Sequence, residues 1–198
     1  MDKKEFHILV ADDDEIARDV IGELLLREGY SVATVGNGVE AINRLRIEDV
    51  HLVLTDLKMP GADGIAVLKY AARSNPDVAV VILTAYGTLD TTLEAIKEGA
   101  YDYLTKPFKT REISLIAERA YRRALLIADN RELKKHLRDT YRDLDLLRTV
   151  AESGNPEVTT SWLERIEKLK TMNVLLTQEA EQLKERLVKG NGRPHDEK

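Results

Sequence analysis

Residues 51–64 read HLVLTDLKMPGADG. An apolar run from His51 to Thr55 ends abruptly in Asp56, and Met59-Pro60-Gly61 and a second glycine, Gly64, follow. The run has the look of a buried strand, and a carboxylate at the end of a core strand is costly unless something pairs with it. Two readings are open at this point. Asp56 caps the next turn, or it sits in a site built to use its charge.

Working outward, four similar runs flank this one: FHILVA (6–11), YSVATV (30–35), VAVVILT (78–84) and YDYLT (101–105). Between them apolar residues recur at helical spacing. Ile16, Val20 and Leu24 step by four; Val39, Ile42 and Leu45 step by three, as do Ile65, Leu68 and Ala71; Leu93 and Ile96 mark a fourth helix. Short apolar strands alternating with helices predict a (βα)5 unit, an α/β fold with a parallel sheet covered on both faces. Gly29, Gly36-Asn37-Gly38, Gly61, Gly64 and Gly99 punctuate it.

The chain of 198 residues, 43% hydrophobic and 33% charged, is long enough for one well-cored domain and something smaller. It has no cysteine, which excludes disulfides and thiolate metal sites and makes a cytoplasmic location the expectation. The opening MDKKEFHILVADDD has too short an apolar stretch for a signal peptide. No run approaches the ~20 apolar residues of a membrane span. Residues 1–110 hold 12 Lys+Arg against 19 Asp+Glu, a net of −7, and residues 111–198 hold 18 against 16, a net of +2. Neither half has the basic bias of a nucleic-acid surface.

In an open parallel sheet, ligands bind beyond the carboxyl ends of the strands. The first run ends in Asp12-Asp13-Asp14, the third in Asp56, the fourth in Thr84-Ala85, and the fifth leads into Lys106-Pro107. Asp14, before Glu15-Ile16, suits a helix cap. Asp12, Asp13 and Asp56 carry three negative charges that repel unless a cation intervenes. Mg²⁺ together with Lys106 restores neutrality, and an all-oxygen donor set suits that ion. In such a setting Asp56 is a plausible nucleophile toward phosphorus, with Lys106 and Thr84 placed to stabilise a transferring phosphoryl group.

The motifs DDDE (12–15), DLKMPGADG (56–64), TA (84–85) and YLTKPF (103–108) resemble the receiver domain of two-component response regulators, over residues 5 to about 122. The resemblance implies the flavodoxin-like doubly wound sheet with strand order 2-1-3-4-5 and a receiver domain over 1–122. It implies that Asp56 accepts a phosphoryl group from a sensor histidine kinase or phosphotransfer protein. Asp13 and Asp56 would ligate Mg²⁺, with Asp12 acting mainly through water and the Lys58 carbonyl as a further ligand. Thr84 and Lys106 would contact the phosphoryl group, Tyr103 would be the switch aromatic, and Lys106-Pro107 would be cis. Tyr86, two residues past Thr84, would screen the aspartyl phosphate from water. The stretch 85–108 is most similar to receivers of the nitrogen-regulator class, which often precede an ATPase domain; no GxxxxGK[ST] occurs anywhere in the 198 residues.

Beyond about residue 110 the strand signals stop. Residues 111–150 and 157–189 read as helices separated by Ser153-Gly154-Asn155-Pro156, and residues 191–198 as a frayed tail. Leu126, Leu133, Thr140 and Leu147 fall at heptad d and Asn130, Leu137, Leu144 and Ala151 at a. In the second segment Trp162, Leu169, Leu176 and Leu183 take d, and Ile166, Asn173, Ala180 and Leu187 take a. These seams predict an α-helical coiled-coil extension over 123–190, and Asn130 and Asn173 favour a parallel homodimer over a hairpin that folds one seam onto the other. His136, in KKHLRD, reads as charged surface. The expected role is a response regulator that relays its signal through helical dimerisation or a helical protein partner. The alternatives are a regulator with an RNA- or DNA-binding helical output, and a haloacid-dehalogenase-like phosphatase, which lacks support because Asp56 is followed by Leu57-Lys58-Met59-Pro60 rather than by x-Asp-x-Thr.

Overall fold

A computed structural model describes residues 1–85, 89–153, 156–171 and 175–190. The expected water screen at Tyr86 and the seam position Asn173 lie outside the described residues, as do Gly154, Asn155 and 191–198. Two compact units are formed, Met1–Asn130 and Arg131–Lys198.

The first unit alternates strand and helix: β1 His7–Ala11, α1 Glu15–Arg27, β2 Ser31–Val35, α2 Gly38–Ile47, β3 Leu52–Asp56, α3 Gly64–Ser74, β4 Ala79–Thr84, α4 Leu89–Lys97 and β5 Asp102–Thr105, followed by α5 from Thr110. The five strands are parallel in the order β2-β1-β3-β4-β5, as expected from the sequence. Side chains alternate across the sheet. Ile8, Val10, Leu52, Leu54, Val81 and Leu83 face one core with Ile21, Leu25, Ile113 and Ala117. Leu9, Ala11, Val53, Val80 and Ile82 face the other with Ala41, Val67, Leu68 and Ala95. Burial on both faces is why the inner strands β1, β3 and β4 read as apolar runs, whereas the edge strands β2 and β5 are half-exposed.

Helix starts are fixed by side-chain caps. Asp14 accepts from the N–H groups of Ile16 and Ala17, Asn37 from Glu40, and Asp63 from Ala66. The Ile16–Val20–Leu24 spacing marks α1 correctly but not its buried face. Ile16 is 77% exposed, and Ile21 and Leu25 fill the core instead.

The element α5 runs from Thr110 to Ser153. After it come α6, Pro156–Thr171, and α7, Thr177–Gly190. The single helix expected over 157–189 is thus two helices. Trp162, Ile166 and Ala180 are buried against one another, with Leu175 and Leu183 beside them, so the seam residues of α6 and α7 cover each other. Lys170 pairs with Glu167 and Glu181, and Lys184 pairs with the same two carboxylates. These pairs bring 170 near 181 and 167 near 184, so the helices run antiparallel. No described helix is long and apolar enough to cross a membrane.

Candidate functional site

Strand register builds the site. Ala11 is level with Thr55, Asp56 with Leu83, and Thr84 with Thr105. The residues that follow these pairs leave the sheet at one edge. Asp12 is tied there by its N–H to the Val35 carbonyl (3.2 Å), and Lys106 by its N–H to the Thr84 carbonyl (2.7 Å). The Lys106-Pro107 peptide is cis, as the sequence motif implied.

Lys106 closes the edge. Its Nζ lies 2.6 Å from Asp12 Oδ2 and 2.7 Å from Asp56 Oδ1. The other oxygens are also engaged: Asp12 Oδ1 accepts the Asp14 N–H at 3.1 Å, and Asp56 Oδ2 accepts the Lys58 N–H at 2.7 Å. Asp56 thus accepts a turn N–H, and its charge is paired with the Lys106 ammonium. The cap of α3 is a different residue, Asp63. Asp12 is fully buried, and burial pushes its carboxyl above the usual range, against the pull of Lys106. Burial would lower the Lys106 ammonium, but hydrogen bonds to Asp12 and Asp56 hold it above its ordinary value.

The other expected residues differ in burial. Asp56 and Thr84 are buried, whereas Asp13 and Lys58 are exposed. Tyr103, half-buried in the second core, has its hydroxyl 3.4 Å from Thr91 Oγ1 on α4. Among the described residues no three His, Cys, Asp or Glu side chains are gathered into a metal-holding group. The donor chemistry nevertheless fits Mg²⁺. Two carboxylates share one ammonium, Asp13 adds a third negative charge on the adjoining loop, and every donor is a hard oxygen.

Some positioning residues escaped the sequence reading. Arg18 Nη1 on α1 donates to the Asp12 carbonyl at 2.8 Å and steadies the acidic loop from the helix side. In sequence it is an ordinary surface-type arginine. Gly64 lets α3 begin against the strand end: its N–H donates to Leu57 (3.0 Å), and a methyl group on it would overlap the Asp56 carbonyl oxygen. Gly61 has φ +79°, a left-handed conformation that glycine supplies at least cost. Together they fold the loop 57–63 back toward Asp56.

Comparison with known proteins agrees with this geometry. A model of the response regulator receiver domain matches residues 8–118. The transcriptional regulatory protein ZraR of Klebsiella oxytoca is 40% identical over 120 residues, 61% of this chain and 27% of that protein. The DNA-binding transcriptional regulator NtrC of Escherichia coli (strain K12) is 38% identical over 113 residues, 57% of this chain and 24% of that protein. The chain thus spans about a quarter of the length of these curated relatives. The crystal structure of the NtrX receiver domain from Brucella abortus is 35% identical, with a TM-score of 0.54, covering 57% of this chain and 96% of that one. The solution structure of the beryllofluoride-activated NtrC4 receiver domain dimer is 31% identical, with a TM-score of 0.56, covering 59% and 96%. With its sheet order, its acidic strand edge and its bridging lysine all inside residues 8–118, the chain belongs to the response regulator receiver domain family.

Proposed function

We propose that Asp56 accepts a phosphoryl group from a sensor histidine kinase or phosphotransfer protein in the cytoplasm, and that the helices after the receiver relay the signal. The observation that carries this reading is the Lys106 ammonium held between Asp12 and Asp56. An oxygen of Asp56 attacks phosphorus, an O–P bond forms as the N–P bond of phosphohistidine breaks, and the departing imidazole keeps the electron pair and takes up a proton. Lys106 neutralises charge on the phosphoryl oxygens, and the Thr84 hydroxyl donates to one of them. Asp12, Asp13, Asp56 and the Lys58 carbonyl would hold Mg²⁺. When bound, the ion would supply further positive charge to the transferring group. The protein is a phosphoacceptor, not a member of a classical enzyme family.

Tyr103 is the switch aromatic in this reading. Its backbone pairs with Ile82, two residues before Thr84, and its hydroxyl reaches Thr91 of α4. A Thr84 side chain drawn to the phosphoryl group leaves room for Tyr103 to move inward and release α4. Incubating the full chain with acetyl phosphate and Mg²⁺ tests the proposal by intact mass. The wild type gains one phosphoryl group; Asp56→Asn gains none, because an amide is a poor nucleophile. Equal uptake by the variant rejects the assignment.

A further inference from the structure

The turn Gly36-Asn37-Gly38, between β2 and α2, supplies no group to the acidic edge, yet it stands between the two loops that do. On one side is the loop after β1. The Asp12 N–H donates to the carbonyl of Val35, the residue just before the turn, at 3.2 Å. Arg18, which donates to the Asp12 carbonyl, runs beside the turn as well: a methyl group on Gly36 would meet its Nη1 at 3.5 Å, an ordinary contact with the end of a flexible side chain.

On the other side is the loop 57–63. Gly38, the buried first residue of α2, lies against Ala62. A methyl group on Gly38 would overlap the Ala62 carbonyl oxygen and come within 2.8 Å of its carbon. The next residue of the helix makes the same approach, since a methyl group on Gly61 would stand 3.0 Å from Val39 Cγ2. Alanine is the better helix former, so glycine at the start of α2 answers to this contact rather than to the helix. The helix has little room to retreat. Asn37 caps it through the Glu40 N–H at 2.9 Å, and Ala41 is fully buried in the core. The loop is the softer partner. It is closed on itself by the Ala62 N–H to Pro60 (3.0 Å) and the Gly64 N–H to Leu57 (3.0 Å), and its Lys58 N–H holds Asp56 Oδ2 at 2.7 Å. A push at Ala62 therefore reaches Lys58.

From these contacts we infer that Gly38 is a positioning residue for the divalent cation: the missing side chain lets α2 brace the 57–63 loop where the Lys58 carbonyl can serve as a ligand beside Asp56. This rests on the Mg²⁺ site proposed above and adds to it a residue that touches neither metal nor phosphoryl group.

Gly36→Ala and Gly38→Ala make the same chemical change in the same turn, and only the second meets backbone. Titration calorimetry of the full chain with MgCl₂ separates them. Gly36→Ala binds Mg²⁺ as the wild type does, and Gly38→Ala binds it about tenfold more weakly, in the range of residues that orient a metal ligand without touching the metal. Phosphoryl uptake from acetyl phosphate then needs about tenfold more Mg²⁺ for half-saturation in Gly38→Ala and recovers at saturating Mg²⁺. Ala62→Val loads the same contact from the half-buried loop and shifts the affinity in the same direction, which decides the matter if Gly38→Ala does not fold. Unchanged affinity in Gly38→Ala, equal losses in both glycine variants, a deficit in uptake that saturating Mg²⁺ does not relieve, or, where Gly38→Ala fails to fold, unchanged affinity in Ala62→Val overturns the role of Gly38. A wild type that binds no Mg²⁺ overturns the metal site itself and this role with it.

Discussion

Lys106 Nζ stands 2.6 Å from Oδ2 of Asp12, a carboxylate with no solvent exposure. The second bond of the same ammonium, to Asp56, joins the ends of β1 and β3 across the loop after β5. A buried carboxylate left without its cation is a large penalty, whereas the intact pair contributes little net stability. Lys106→Met should therefore cost about 3 kcal/mol in metal-free buffer. Adding Asp12→Asn to that variant should recover part of the loss. Urea melts of the wild type, Lys106→Met, Asp12→Asn and the double variant form the test; strict additivity would mean that the two side chains do not act as a pair.

The loop after β3 depends on the absence of a side chain at Gly64. Alanine there is acceptable in backbone conformation but collides with the Asp56 carbonyl. Gly64→Ala is expected to lose about 1–3 kcal/mol. It should also slow phosphoryl uptake, because the loop that supplies the Lys58 N–H to Asp56 must shift. Unchanged stability and rate would show that the close approach carries no constraint.

His51 gives the receiver a pH dependence far from the phosphoryl site. Its ring stacks on Phe6 at 5.2 Å, and its Nδ1 accepts the His7 N–H at 3.1 Å, so a proton on Nδ1 would destroy that bond. Burial pulls the imidazole below its ordinary value of about 6.5, with the His7 charge adding to this and Asp49 opposing it. Between that ordinary value and the lower folded value, the unfolded chain holds a proton that the folded chain lacks. Stability therefore falls as pH drops through this window. His51→Phe should flatten that part of the melting-temperature profile. A variant profile parallel to the wild type from pH 7 to 5 contradicts this.

Trp162 is the chain's one tryptophan, so its fluorescence reports on the α6–α7 hairpin alone. Ile166, buried beside it, should cost about 2–5 kcal/mol when cut to alanine. Lys184→Ala should matter far less. Its pairs with Glu167 and Glu181 are exposed, and salt screens them. A larger fluorescence shift for Lys184→Ala than for Ile166→Ala would mean that the charge network, and not the apolar contact, holds the hairpin.

These contrasts show where sequence is informative. The sheet was readable because its inner strands β1, β3 and β4 are buried on both faces, so their apolar runs stood out. The residues of the acidic edge were readable because a parallel topology delivers successive strand ends to one place; Asp12, Asp56 and Lys106 needed no distances to be grouped. The face of α1 was not readable, because Ile16 and Val20 mimic a core stripe while Ile21 and Leu25 fill the core. Arg18 was missed because its partner is a backbone carbonyl, which no side-chain pattern announces. The hairpin was missed because TMNVLLT, 171–177, contains neither glycine nor proline, and the heptad runs through it unbroken. The same leucine spacing serves a long helix or two short antiparallel ones.

The most direct test of the account is the position of the phosphoryl group itself. Treating the phosphorylated full chain with borohydride reduces an aspartyl phosphate to homoserine, which peptide mass spectrometry locates to a single residue. The account predicts homoserine at position 56, formed only when acetyl phosphate and Mg²⁺ are both supplied. Homoserine at Asp12 or Asp13, or phosphate on a residue that borohydride leaves unchanged, such as Thr84, would contradict it.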